Sequence, residues 1–382
     1  MARRTKLALF GVVVLVLAVV AVGLVVRDDP SSPQAKPVTQ PAQPAAPQPR
    51  VVVVRRRDGV PASWAGRLRR VPGVSAVART ARAQALLRGS RRAGGATVDA
   101  PPSGYAIPLD ALIVEPGAYA RALRQARGEL ARLRRGSALL SRSSARLRRL
   151  GVGDRMDVVG SGELRVAGIV DDQVVGLAEV VVSRGQIGGR PGTQQLLVTT
   201  TQPERIHRRL AGDDAVRVRT VTTRVRSAPQ LIARPLEVKQ RFGEFAVRLP
   251  YGADWIGVEP GWLRRNVVTR SVPILGAVTC NKRLFPPLRR ALRALERRGL
   301  SGVVDRADYA GCHAPRRIPG SGSLSLHAWG LAIDLNAAAN PRLRGSRQDS
   351  RLVNAMEDAG FTWGGRWPTV PDPMHFELHA VP

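Results

Sequence analysis

From Leu7 to Val26 the chain runs through 20 consecutive apolar or glycine residues without a charge. No other feature restricts as much what the rest can become. As a helix rising about 1.5 Å per residue, the run is about 30 Å long, the hydrocarbon thickness of a bilayer. Arg3, Arg4 and Lys6 precede it and Asp28 and Asp29 follow it. The positive-inside rule then leaves the N-terminus in the cytoplasm and sends everything after Val26 outside. A cleaved signal peptide would also export the chain, but its apolar stretch is usually about 7–15 residues and ends in a small-residue site. The expectation is a transmembrane helix within residues 1–27, contacting the membrane through residues 7–26 and making this a single-pass protein of the cell membrane.

Residues 28–50 carry prolines at 30, 33, 37, 41, 44, 47 and 49 among Gln, Ala and Ser. Such a stretch cannot bury a core and behaves as an extended, semi-rigid linker, reaching ~70 Å in polyproline form.

The charge is lopsided, with 60 Lys+Arg against 29 Asp+Glu and a net charge of +31. Most of the excess falls between residues 51 and 271. There the sequence reads as a basic α+β domain over residues 51–230. Val51–Val54, Asp157–Val182 and Leu196–Thr201 are expected strands. Ala118–Leu150 is expected to be an Arg-rich helix, and Gln202–Ala211 a short one. The basic surface has two readings, a solvated face or attraction to anionic wall polymers through a salt-dependent field. Aromatic residues make up only 4% of the chain, which argues against base-stacking platforms, and no nucleic-acid motif is present. His207, between Ile206 and Arg208, reads as structural. The strand-and-helix alternation is similar, without a motif to carry it, to the extracellular domains of transporter permeases; a sensor or partner-binding role for this segment is the corresponding alternative.

The chemistry lies at the other end. Four of the five histidines follow residue 312: His313, His327, His375 and His379. His327 and Asp334 are seven residues apart, and Asp372 precedes His375 by three. Two imidazoles and a carboxylate can hold one Zn2+ ion and leave a position for water, whose pKa the metal lowers to about 7. A carboxylate is then needed to take the water's proton, and Asp372 is placed for it. Met374–Leu378 alternates like a strand, which would aim His375 and Glu377 to one face. By spacing alone, buried and satisfied core residues remain an alternative.

The pattern S-x-H-x-x-G-x-A-x-D from Ser325 to Asp334, followed by D-x-x-H-F-E from Asp372 to Glu377, resembles the zinc D-alanyl-D-alanine carboxypeptidase family, which includes L-alanyl-D-glutamate endopeptidases. The likeness extends over residues 235–382, with Pro315–Ser321 and Gly360–Trp367 as further blocks. It implies a compact α+β zinc peptidase domain whose small antiparallel sheet carries the ligands. It also implies His327, Asp334 and His375 as metal ligands, Asp372 as catalytic base, Arg316 (or its neighbour Arg317) as the arginine that holds the substrate carbonyl, and Ser325 in support. The implied partners are peptidoglycan stem peptides, cut as a carboxypeptidase or as an endopeptidase. A non-catalytic wall-binding protein is the contrasting reading.

Other residues have plainer roles open to them. Trp363, Trp329 and Trp367 suit either a substrate groove or the core. Glu377 could orient a ligand histidine. His379 could be an alternative ligand or a surface residue. Cys280 and Cys312, the chain's two cysteines, form either a disulfide or two free thiols.

Overall fold

The computed structural model describes residues 48–378 except 57, 124–125, 177, 188–193, 222–234, 251–254, 319–322 and 368–369. Eleven strands form one mixed sheet. They are β1 (Arg50–Arg56), β2 (Val74–Arg91), β3 (Thr97–Asp99), β4 (Tyr105–Val114), β5 (Ser137–Ser141) and β6 (Arg155–Val158). The remaining five are β7 (Gly162–Val170), β8 (Val180–Ser183), β9 (Gln194–Thr200), β10 (Val216–Val221) and β11 (Val247–Arg248).

The long strand β2 is the seam of this sheet. Its first half pairs with β9, its last residues with β6, and its middle with β4 on the opposite edge. Because the path β2-β6-β7-β5-β8-β4 returns to β2, six strands close into a ring, which leaves fewer unpaired edges. Two pairs in it, β4–β8 and β5–β7, are parallel. Alternation along the strands builds the cores. Leu87, Leu109, Leu140, Met156, Leu164 and Val180 meet in one cluster, and Leu112, Tyr119, Leu130, Leu139 and Val181 in another.

This architecture corrects the expected fold class. The chain is not organised around a small antiparallel sheet. The large mixed sheet dominates, and β11, from the C-terminal segment, pairs with β4 at Val247↔Ala106 and Arg248↔Tyr105. Sequence periodicity is local, whereas these pairings join residues more than a hundred positions apart. The expected helix Ala118–Leu150 is corrected too. Gly136, at φ +78°, turns the chain into the fully buried strand β5, and short helices flank it at Pro116–Ala122, Arg127–Arg132 and Arg142–Arg148.

The single-pass localisation is corrected as well. Among the described residues no helix is long and apolar enough to cross a membrane. The run Leu7–Val26 and the proline-rich segment up to residue 47 lie outside the described residues, so the localisation has no structural support.

Charges knit the C-terminal segment to the ring. Lys239, on the helix Pro235–Phe242, is buried and donates to both oxygens of Glu179 at 2.9 Å, with Glu244 at 3.1 Å. Arg148, also buried, donates to Glu244 at 2.8 and 2.5 Å and to Glu179 at 3.2 Å. Burial opposes the charge on Glu244, but Lys239 and Arg148 outweigh it and hold the carboxyl below its usual range. Burial, together with the like charge of Glu179, pushes nearby Asp110 up to about 6, against the pull of Lys239 and Arg82. Each cation of this cluster is satisfied by two carboxylates, the condition under which buried charges are tolerated.

The C-terminal core gathers Phe245, Trp262, Leu288, Leu292, Trp329, Ile333 and Phe376. Over it lie a hairpin of β12 (Val267–Val272) with β13 (Gly276–Asn281), and an antiparallel sheet ordered β14-β15-β17-β16. The latter strands are β14 (Tyr309–Gly311), β15 (Ala332–Leu335), β16 (Phe361–Trp363) and β17 (His375–Leu378).

Candidate metal centre

Three elements deliver the donor set. Asp334 on β15 faces His375 on β17 in antiparallel register. Leu335 N donates to Met374 O at 2.9 Å, so Asp334 and His375 form a non-hydrogen-bonded pair, the kind whose side chains stand closest. His327 comes from a single 3₁₀ turn, Leu326–Trp329. Ser325 Oγ caps that turn by accepting from His327 N, and Gly330 ends it at φ +65°.

Gly330 has no alternative. A Cβ there would sit 2.7 Å from Asn281 N and 3.2 Å from Cys280 C, the backbone of β13. Neither can move without opening the hairpin. Gly330→Ala is therefore expected to cost about 1–3 kcal/mol in backbone strain and a similar amount in overpacking. Urea unfolding monitored by tryptophan fluorescence should show the loss; a variant as stable as the parent would mean that the turn can reshape.

The three ligand atoms converge. His375 Nδ1 lies 2.8 Å from Asp334 Oδ1, His327 Nε2 is 3.1 Å from the same oxygen, and the two ring nitrogens are 3.1 Å apart. All three residues are buried. The outer ring nitrogens are also committed. His327 Nδ1 lies 2.8 Å from Cys312 O, and His375 Nε2 lies 3.0 Å from Glu377 Oε1. A carbonyl oxygen can only accept, so Nδ1 of His327 carries the proton and its Nε2 offers a lone pair. That lone pair meets an oxygen of Asp334 which also has no proton. Two acceptors at 3.1 Å call for a cation between them, and the donor set fits a metal ion.

The protonation pattern says the same. Burial works against charge on His375, yet Asp334 and Glu377 outweigh it and push it up to about 10. Burial likewise opposes ionisation of Asp334, but His327 and His375 hold it far below the usual carboxylate range. Burial lowers His327, with Asp334 pulling the other way.

Asp372 stands beside this cluster. Its Oδ1 is buried with no hydrogen-bond partner among the described residues, while Arg342 Nε approaches Oδ2 only to 3.8 Å. Burial raises its pKa above the usual range, against the pull of His375. Its backbone is seated against Gly364, where Asp372 N donates to Gly364 O at 3.0 Å and a Cβ would meet Asp372 O at 2.6 Å. Arg316 Nη2 donates to Asp334 Oδ2 at 3.1 Å with its side chain 32% exposed. Arg316 thus reaches the cluster; Arg317 continues the chain into a bridge with Leu324.

The remaining candidates separate cleanly. Cys280 and Cys312 form a disulfide with Cα atoms 5.4 Å apart, which fixes the carbonyl that orients His327. Trp329 is core, donating through Nε1 to Gly243 O at 3.1 Å and packing on Phe245. Trp363 Nε1 donates to Pro373 O at 2.7 Å and so braces the Asp372 turn. The ring of Trp367 lies 5.4 Å from that of His375. His313 is half-buried behind the disulfide. His207 is on an exposed helix face, 3.0 Å from Thr220 Oγ1, and His379 lies outside the described residues.

Trp255 escaped the sequence reading. It bridges Arg316, and Ile256 N donates to Pro315 O at 3.1 Å, making Trp255 and Arg316 another close, non-hydrogen-bonded pair on one face. The indole is 69% exposed. Its only sequence signal is an aromatic in a polar loop 61 positions from its neighbour.

One comparison with known proteins falls on this same segment. A family model described as D-alanyl-D-alanine carboxypeptidase matches residues 319–378. The matched stretch contains His327, Asp334, Asp372 and His375; Arg316 precedes it. No curated protein matches the chain. Among solved structures, the periplasmic region of MacB from Actinobacillus actinomycetemcomitans is similar over 44% of this chain and 87% of that one, at 11% identity and a TM-score of 0.29. The extracellular domain of the noncanonic ABC-type transporter YknZ from Gram-positive bacteria is similar over 44% and 99%, at 14% identity and a TM-score of 0.29.

Proposed function

We propose that this chain is a zinc-dependent peptidase that hydrolyses an amide bond in peptidoglycan stem peptides, as a D-alanyl-D-alanine carboxypeptidase. The observation that carries the reading is the convergence of His327 Nε2, His375 Nδ1 and Asp334 Oδ1 within 3.1 Å of one another, with each imidazole oriented from behind. These three atoms would hold the ion, which when bound supplies Lewis acidity toward a carbonyl oxygen and toward water.

The chain's own residues do the rest. Asp372, partly desolvated and with an uncommitted oxygen, takes the proton of the attacking water and hands it to the departing amine. Arg316 spends one of its five N–H groups on Asp334, and its exposed part is left to hold the substrate carbonyl. Glu377 and the Cys312 carbonyl keep the imidazoles in the tautomers that present lone pairs inward. Trp255 offers a flat wall beside Arg316 for the substrate flank.

Mass spectrometry of purified muropeptides after incubation with the full chain tests the reading, with added zinc, with a chelator, and with Asp372→Asn. Zinc-dependent loss of a terminal alanine is the expected result. A cut nearer the sugar would keep the mechanism and reassign the specificity to an endopeptidase. Intact substrate after treatment with folded, zinc-loaded protein would sink the proposal in favour of a binding module.

A further inference from the structure

The helix Phe285–Arg297 buries Leu288, Ala291, Leu292 and Leu295 in the C-terminal core. Its outer side borders a groove of about 650 Å³ shared with the end of the helix Ser350–Asp358. No residue of the metal centre lines this groove. Arg270, Arg289, Arg290, Arg293, Arg297 and Arg298 do, against one acidic residue, Asp358.

Arg289, Arg293 and Arg297 recur every fourth residue, about 6 Å apart along one helix face. Like charges at that spacing work against the helix that carries them. Two arginines are fixed in place: Arg289 donates to Ser271 O at 2.8 Å and Arg290 to Ala359 O at 3.0 Å. The side chains of Arg293, Arg297 and Arg298 make no hydrogen bond or ion pair among the described residues. Their charge is presented outward, uncompensated by the protein.

The lining also selects among ligands. Phe285 is the groove's only aromatic residue, and it is covered by the guanidinium groups of Arg270 and Arg289, 5.5 and 5.8 Å from its ring centroid. The apolar part of the lining is made of small side chains such as Pro286, Ala294 and Ala355, so a protein partner would find no pocket for a large anchor, and a nucleobase no open ring to stack on. A groove of this volume admits a thin chain rather than a folded domain. Guanidinium forks match the paired oxygens of phosphate.

We propose that this groove binds a flexible phosphodiester polyanion that lacks stacking groups, separately from the metal centre. Arg293, Arg297 and Arg298 contact successive phosphates, and Arg289 and Arg290 shape the wall. Apart from Arg270, the groove's arginines lie beyond the stretch where most of the basic excess falls.

The test uses the full chain and end-labelled poly(glycerol phosphate), with binding followed by fluorescence anisotropy across a salt series. The triple variant R293Q/R297Q/R298Q is compared with R205Q/R208Q/R209Q, which removes the same charge from exposed positions on the helix Pro203–Leu210. The groove variant should bind on the order of tenfold more weakly, and its salt slope should be shallower by about 2, as expected for three lost phosphate contacts. The control should change little. Equal losses in both variants, or none in either, would overturn the proposal in favour of a diffuse field. Polyglutamate of matched charge is the second arm; if it binds as tightly and responds to the groove variant in the same way, the phosphate assignment is wrong. Melting temperatures establish that both variants fold, and R293Q/R297Q is read identically should the triple variant unfold.

Discussion

Asp372→Asn is expected to lower kcat/KM for stem-peptide cleavage by roughly 10²–10⁴-fold, the contribution of a positioned general base. The amide keeps the shape of the carboxylate and its seat against Gly364 but cannot accept the water's proton. Asp372 is no member of the converging His327–Asp334–His375 set, so zinc binding measured by calorimetry should stay near that of the parent protein. That pairing of results, chemistry lost and metal retained, separates a base from a ligand. Parallel loss of zinc would move Asp372 into the ligand set, and undiminished turnover would return the proton to another acceptor. His327→Ala gives the contrast, since it removes a converging donor and should cost the metal itself.

The second large effect lies well away from that chemistry. Lys239→Met is expected to destabilise the fold by about 3–5 kcal/mol, because it leaves Glu179 and Glu244 buried with half their positive charge removed. Methionine fills the space, so the loss reports electrostatics rather than a cavity. Arg351→Met supplies the comparison. Its ion pair with Asp349 is as short, at 2.6 Å, but its side chain is 54% exposed, and pairs of that kind are worth about 0–1 kcal/mol. Urea denaturation of both full-length variants decides the matter. A Lys239 variant that unfolds within about 1 kcal/mol of the parent would show that water or a rotated side chain replaces the ammonium.

The two results bear on different parts of the molecule, and the sequence was unequally informative about them. The donor set was legible because each member sits in a short local pattern. Ser325 and Gly330 bracket the turn that carries His327, and the alternation after Met374 puts His375 and Glu377 on one face, where they meet at 3.0 Å. Short-range chemistry of this kind survives in sequence since the same few residues both fold the segment and do the work. Ser325 also shows the limit. Its presence was plain, but only the structure assigns its oxygen to capping the turn rather than to a substrate.

What the sequence by itself determined is therefore the identity of the candidate chemistry, two imidazoles and two carboxylates in a fixed order, together with strands such as β1 and β9, whose apolar runs Val51–Val54 and Leu196–Val198 stand alone. What only the tertiary structure decided is everything that depends on distant pairing. The closed ring around β2, the union of Lys239 and Arg148 over Glu179, Trp255 opposite Arg316, and the meeting of Arg270 with the helix Phe285–Arg297 in the arginine groove all join residues with no shared local signal. Backbone hydrogen bonding takes no account of sequence separation. Register is settled by which buried faces fit one another, and a charge is tolerated inside only where the fold happens to bring its partners.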